Sequence, residues 1–374
     1  ARTFPDTIVQ HRSRFDLHGS PSHDFFYTKN IRTPNHVTLD ANGPYRSLLP
    51  RRTDGLLVAG LGMSATRDAM AIMRMQADLQ NQGYAAAYAV RLALTRGCEL
   101  RDIPVRDLQR HLVEKGILPE SVLHEQDSHP LPDAVLKLAT HDVMMGYGGL
   151  PYLFADPERA RPLLRAKYDE LSTHSSGRDP EVSLIYAHVL AMLGDPIGAE
   201  GLIAWISDHG WDDKWPEDTG ARVNRMESYI LALGRAGSTN AVPAIIARGL
   251  GLCDGKKSPS ASRCRALGLA SVALGDPAST EMLARLLDQP GISGHAIRLA
   301  EPIPPVPGYD SRSNYSQQEK MELAREINLA AALYRLGDRD GKAKAVLRAY
   351  AEDPRGFCAN YARRILAEKS GPAM

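Results

Sequence analysis

The sequence predicts two folds in series: an α/β segment over residues 1–125 and an all-α array of helix pairs over residues 134–374. Three observations carry this reading. The first stretch mixes β-branched, turn-rich runs with one long helical pattern rich in Ala and Met. Within it, "DGLLVAG" (54–60) is a continuous apolar run that stops on glycine and opens a helix, as a strand buried on both faces would. From residue 134 onward one phrase recurs: an apolar helix end, Leu-Gly-Asp, then a second amphipathic helix.

Bulk properties narrow the function. A chain of 374 residues is long enough for two domains, each with its own core. The formal net charge of +1 and pI near 7.9 give no electrostatic case for nucleic acid or an anionic membrane surface. No apolar run approaches the roughly 18 residues needed to span a bilayer, which points to a soluble protein of the cytoplasm or periplasm. The start, "ARTFPDTIVQHRSRF", has neither an initiator Met nor a signal-like apolar core; the expectation is a processed or truncated chain whose earlier part is a separate polypeptide or missing. Cys98, Cys253, Cys264 and Cys358 form no C-x-x-C pair. Cys253 and Cys264 flank a loop-like stretch and are read either as a bridge or as two thiols.

In order along the first half, "NHVTLDANGPYRSLLPRR" (35–52) reads as extended segments joined by turns, and "DGLLVAG" as the buried strand. From Thr66 the pattern is one helix up to Gly97, which closes it. Ala85, Ala86 and Ala87 after Gly83 make one stretch slim enough for a neighbouring backbone to approach. "DIPVRDLQRHLVEKGIL" (102–118) is a further helix with Asp102 as cap and Pro104 just inside.

In the second half, "VLAMLGDPIGAEGLIAWI", "LASVALGDPASTEMLARLL" and "AALYRLGDRDGKAKAVLRAY" are copies of one unit. "LALGRAGSTNAVPAIIARGL" and "LPYLFADPERARPLLRAKY" are looser ones. Aligning Ala155, Gly194, Gly237, Gly275 and Gly337 gives steps of 39, 43, 38 and 62 residues. Two helices per roughly 40 residues is the period of HEAT or armadillo solenoids. Gly ends the first helix, Asp caps the next, and each apolar stripe is buried only against the neighbouring pair. The long last step holds an insertion near 293–321, rich in Pro and Tyr, read either as a contact-bearing loop or as a solvated one.

A strand–glycine–helix turn presents a nucleophile or receives an anion or a cofactor. A hydrolase elbow is disfavoured, because Thr66 replaces the final glycine of G-x-S-x-G and no series of β–α units follows. "HEQDSH" (124–129) is one residue too long for H-E-x-x-H: at i, i+5 the two side chains diverge by about 140°, and Pro130 follows. His11, His18 and His23 have no ligand spacing, so no metal is expected. Around Trp205, Trp211 and Trp215 an aromatic core is the favoured reading over a partner surface.

The remaining chemistry rests on a resemblance. "RTFPDTIVQHRSRFDLHG" followed by "GPYRSLLPRRTDGLLVAGLGMSATRDAMAIMRMQADLQNQGYAAAYA" resembles the C-terminal part of FAD-dependent oxidoreductases of the glutathione-reductase-like superfamily, over residues 1–115. The matching family pattern is an F-P-D segment with D-x-H, a P-Y-R-S-L-x-P strand, N-L-L-V-A-G-R, an arginine in the helix, and G-Q-A-A-G. The resemblance implies that the strand ending at Gly60 is the last of an FAD-binding sheet. The turn Gly60, Leu61, Gly62, Met63, Ser64 would then lie beside the flavin, with Arg74, Gln82 and Gly83 as further cofactor contacts. Helix-terminal N–H groups would face the flavin edge where negative charge accumulates on reduction. The chain departs from the pattern at Leu61, where arginine is usual, and at Tyr84 and Ala87. No G-x-G-x-x-G follows any strand, so an N-terminal FAD-binding polypeptide is the expected partner.

For catalysis the resemblance points to His18, as base for an O–H proton coupled to hydride loss, and to Tyr45 and Arg46 on the substrate side. His18 reads equally as a hydrogen-bonded turn residue, and Tyr45 as a core aromatic. Arg67 and Arg74, seven apart, are read on one helix face; Met63, Met70, Met73 and Met75 as core packing. The chain is thus expected to be a component of an FAD-dependent oxidoreductase taking hydride from an activated C–H of a small organic substrate. The alternative is a non-catalytic helical-repeat adaptor.

Overall fold

A computed structural model describes residues 2–14, 25–28, 38–173, 180–211, 223–254, 258–297, 317–338 and 340–368. The chain divides into two compact units: residues 1–26 with 31–136, and residues 27–30 with 137–374.

In the first unit, β1 (Thr7–Arg14) pairs antiparallel with β2 (Thr38–Pro44), with Val9 opposite Gly43 and His11 opposite Ala41. The expected extended segment at 35–52 is therefore β2 followed by a single 3-10 turn at Tyr45–Leu48. The stretch 54–60 is not a strand. Val58 N–H donates to the Leu48 carbonyl (2.8 Å), Asp54 accepts from Arg101 and Gly60 N–H donates to Gln82, with no ladder among these bonds, and Leu56 is 48 % exposed. A strand needs a ladder on at least one edge; among the described residues of this unit the only ladder is β1–β2.

The expected single helix is two. After α1 (Phe25–Thr28), of which Tyr27 and Thr28 are counted with the second unit, come α2 (Arg67–Met73) and α3 (Gln76–Arg96). Thr66 caps α2, its hydroxyl accepting from Ala69 N–H, and Gly97 closes α3 at φ +63°. The break at Arg74–Met75 has no Gly or Pro to mark it; Arg and Met are good helix formers, so nothing local signals it. Arg74 ends α2 rather than continuing the face of Arg67. Met63 and Met73 are buried and Met70 packs against the same core, as expected, whereas Met75 is half-buried at the N-cap of α3 and outside that core. α4 (Val105–Glu114) lays Leu108 and Leu112 into that core, with Pro104 at its N-cap; Asp102 lies in a preceding 3-10 turn and makes no cap bond.

The second unit is helical throughout its described residues. α5 (Asp133–Asp142) enters it, followed by α6 (Leu150–Ala155), α7 (Pro157–Thr173), α8 (Pro180–Met192), α9 (Ala199–Asp208), α10 (Arg225–Arg235), α11 (Val242–Gly251), α12 (Ala261–Leu274), α13 (Ser279–Leu287), α14 (Gln317–Gly337), α15 (Lys342–Ala351) and α16 (Gly356–Ala367). First helices pack in succession, α8 on α10 on α12 on α14, and second helices likewise, α9 on α11 on α13. The approach is close: a Cβ on Gly234 would lie 2.8 Å from Ala270 Cα.

Gly194, Gly237, Gly275 and Gly337 all hold positive φ (84°, 65°, 67° and 105°) where a first helix ends, the conformation glycine tolerates best. Of the aspartates that follow, Asp338 does act as expected, its Oδ2 accepting from Lys344 N–H in the first turn of α15 (2.8 Å), whereas Asp195 and Asp276 do not cap the next helix. Asp195 and Asp276 accept from the N–H two residues on (Ile197 at 3.2 Å, Ala278 at 2.8 Å), and α9 and α13 begin later without a side-chain cap. Proline at the next position fits such a turn better than a cap. All four cysteines are free thiols, which excludes the Cys253–Cys264 bridge.

Of the insertion, residues 293–297 and 317–321 are described. Buried Glu326 accepts from Gly294 N–H, His295 N–H and the Tyr350 hydroxyl (2.9, 2.9 and 2.8 Å), and buried Asp353 accepts from Ile297 N–H (2.8 Å). α14 begins at Gln317, inside the range assigned to the insertion. Trp205 is buried against His209 and Tyr229, and Trp211 donates to the Arg248 carbonyl; both serve packing, while Trp215 lies outside the described residues.

Candidate functional site

The glycine turn is a 3-10 turn, Gly60–Gly62, built on three ties. Gly60 stands at φ +73°, and its N–H donates to Gln82 Oε1 at 2.5 Å. Gln82 Nε2 donates in turn to Met63 Sδ at 2.8 Å, so one buried amide holds both ends of the turn. Ser64 N–H donates to the Ser47 carbonyl (2.8 Å). A Cβ on Gly62 would lie 2.9 Å from Val58 Cγ1, whereas at Gly60 one would meet nothing within 4 Å. The turn is therefore packed from within and open on its outer side, where Leu61 is 66 % exposed.

Sequence reasoning placed Gly60, Leu61, Gly62, Met63, Ser64 and Gln82 together, and the structure brings them together. Gln82 differs in kind from the rest. It is 1 % exposed and supports the turn from behind. Gly83, next to it on α3, is exposed, with open space around it. One helical turn before Gln82, Asp78 Oδ2 accepts from Arg12 N–H (3.1 Å) and lies 3.7 Å from His11 Nδ1. The His11 ring is wholly buried, has no hydrogen-bond partner at either nitrogen among the described residues, and is held below the ordinary histidine pKa by burial, against the pull of Asp78. Alternation along β1 marks His11 as inward; its meeting with Asp78 is a tertiary contact no local pattern announces.

α3 has a second face. Gly83, Ala87, Val90 (40 % exposed) and Leu94 (80 % exposed) recur at i, i+4, i+7 and i+11, within one narrow stripe, and all are exposed. The opposite face buries Ala85, Ala89, Leu92 and Ala93 in the core. The helix is thus apolar on both sides in its second half.

Of the catalytic candidates, Tyr45 and Arg46 lie within the described residues. Tyr45 packs in the core, and its hydroxyl donates to the Leu100 carbonyl at 2.6 Å; burial pushes it up to about 12. Of its two readings, the core aromatic is the one its surroundings fit. Arg46 is exposed, in a cluster where Arg2 pairs bidentately with Asp127 (2.9 Å each) and Arg46 lies 3.5 Å from Asp6 and 3.7 Å from Asp127. The Arg2 hydrogen bond holds Asp127 down at about 2. His18 lies outside the described residues.

Among the described residues no cluster of His, Cys, Asp or Glu is placed to hold a metal ion, and no helix is long and apolar enough to cross a membrane.

Residues 1–112 match the family model of FAD dependent oxidoreductases. The match supports a flavoprotein oxidoreductase, and FAD is the cofactor it indicates. No curated protein and no solved structure matches the chain.

Proposed function

We propose that this chain is a component of an FAD-dependent oxidoreductase: the distal part of a flavin domain followed by a HEAT-like helical solenoid. A second polypeptide, or a preceding segment, supplies the dinucleotide-binding βαβ unit. The observation that carries the proposal is the family match over residues 1–112, together with the turn Gly60–Met63. That turn fits the cofactor edge: two glycines flanking Leu61, open space where a Cβ on Gly60 would stand, and a buried amide that fixes the backbone without occupying its outer face.

Gly60, Leu61, Gly62 and Met63 would hold the flavin through their backbone, with Ser64 and Arg74 nearby in sequence, and Gln82 would keep the turn in shape. Flavin, when bound, supplies the hydride acceptor for an activated C–H of a small organic substrate. His18 is the proposed acceptor of the accompanying O–H proton, and Arg46 a proposed substrate contact. Gly83, Ala87, Val90 and Leu94 form the proposed seat of the βαβ polypeptide. The α3 stripe supports this partner, because a helix apolar on two faces is stable in water only when both are covered.

The test is purification of the native assembly from its source, with identification of every polypeptide and chromophore in it. The expected result is a yellow complex with flavin absorption and a second chain carrying G-x-G-x-x-G. A colourless assembly would overturn the proposal and favour the adaptor.

A further inference from the structure

His11 is a buried titratable group that the proposed flavin site does not use. It stands on β1 with its ring wholly enclosed, and neither nitrogen has a hydrogen-bond partner among the described residues. Nδ1 lies 3.7 Å from Asp78 Oδ2, too far for a hydrogen bond. Nε2 faces Gly43 across the β1–β2 pair, where a Cβ on that glycine would stand 3.1 Å from it and 2.6 Å from Val9 Cγ1. The ring therefore fills a tight slot, and the charge nearest to it belongs to α3.

Asp78 is also a tie between α3 and β1, since its Oδ2 accepts from Arg12 N–H (3.1 Å). Four residues on, hence on the same helix face, Gln82 accepts from Gly60 N–H and holds the glycine turn. One face of α3 thus bears on His11 at its first turn and on the glycine turn at its second. Charged groups of the other elements packed against β1 are Asp40 on β2, Arg67 and Asp68 on α2, and Arg106 and Asp107 on α4. They add nothing to the pull of Asp78 on the ring.

Protonation turns both ring nitrogens into donors. Nδ1–H gains the Asp78 carboxylate, but Nε2–H has no acceptor, and the charge itself is enclosed. Burial outweighs Asp78 and holds the proton affinity of the ring below that of an ordinary histidine. The sign follows by linkage. An opened state in which the ring reaches water binds the proton more tightly than the closed state, so acid favours opening.

We infer that His11 is an acid-sensitive release for the glycine turn: a proton on its ring opens the β1–α3 contact, Asp78 loses Arg12, and Gln82 loses Gly60. Neutral His11 belongs to the closed form and charged His11 to the open one. That the released turn is the seat of the cofactor rests on the oxidoreductase reading; the release itself does not.

The experiment is hydrogen–deuterium exchange of the full chain without flavin at about pH 7 and about pH 5, each rate divided by that of an unstructured peptide at the same pH. In the wild type, protection at 60–64 should fall about ten- to twentyfold between the two, the interval in which a histidine open to water gains its charge. In His11→Leu, which has no proton to gain, it should change by less than about twofold. Amides of α4 should keep their protection in both proteins. Unchanged protection at 60–64 in the wild type, or an equal fall in His11→Leu, would overturn the inference. If His11→Leu fails to fold, ring-nitrogen NMR of the wild type decides: a neutral His11 ring at about pH 6 is expected, and one already charged there would overturn it. Both measurements are made with no flavin present, so their failure and a failure of flavin binding are told apart.

Discussion

Replacing Gln82 with leucine removes the one side chain that ties both ends of the glycine turn. The shapes are similar, so little cavity forms, and the loss is polar. Gly60 N–H forfeits its acceptor at 2.5 Å, and Met63 Sδ its donor at 2.8 Å. Leaving a buried N–H unpaired costs about 1–3 kcal/mol. Gly60 is only half-buried, so water recovers part of this, and the sulfur contact is a weak one. The expected net loss is about 1–2 kcal/mol. It should be local, because the turn is pinned by few other bonds: amides at 60–64 should exchange about five- to thirtyfold faster, while those of α4 stay unchanged. Thermal unfolding of the first unit should fall by about 2–6 °C. It must be followed by far-UV circular dichroism, since all three tryptophans lie in the helical half. Wild-type exchange at 60–64 in Gln82→Leu would refute the claim that this amide holds the turn.

Gly83→Ala should act with opposite signs in two settings. In the isolated chain it removes a mid-helix glycine with open space around it and should stabilise by about 1 kcal/mol in urea titration; in the native assembly it should weaken association, and a gain in both would argue against a partner on that stripe. Stability of the helical unit should rise with pH between about 3 and 6.5 and level off above. His188, held down by burial and by Arg225, stands at about 3 when folded and near 6.5 when unfolded, so in that window the unfolded chain binds the extra proton. The fall on acidification is at most about 5 kcal/mol by linkage, and His188→Gln should flatten the slope measured by tryptophan fluorescence. Native thiol titration should find Cys264 and Cys358 unreactive, since both are buried and burial pushes them up to about 12 and about 11, while denaturation exposes four thiols without reductant.

How far the sequence could be read depended on whether the controlling interaction was local. Helix ends at Gly97, Gly194, Gly237, Gly275 and Gly337 were legible, because left-handed backbone favours one residue type. So was the helix-pair rhythm from 180 to 351, since each pair repeats one apolar pattern. The strand expected at 54–60 was not, because an apolar run states a preference for burial and says nothing about which chain supplies the ladder. The break at Arg74–Met75 and the role of Asp195 and Asp276 as turn acceptors are decided by packing around them. At the site, the glycines and Gln82 were legible through a family resemblance, but the amide's position behind the turn was not. Nor was the His11–Asp78 contact, which joins residues 67 apart.

The most direct measurement is an experimental density map of the native assembly at the Gly60–Met63 backbone. A tricyclic ring lying against that turn, with its nucleotide tail in a second polypeptide seated on Gly83, Ala87, Val90 and Leu94, is the predicted result. A corner filled by protein atoms alone would contradict the account.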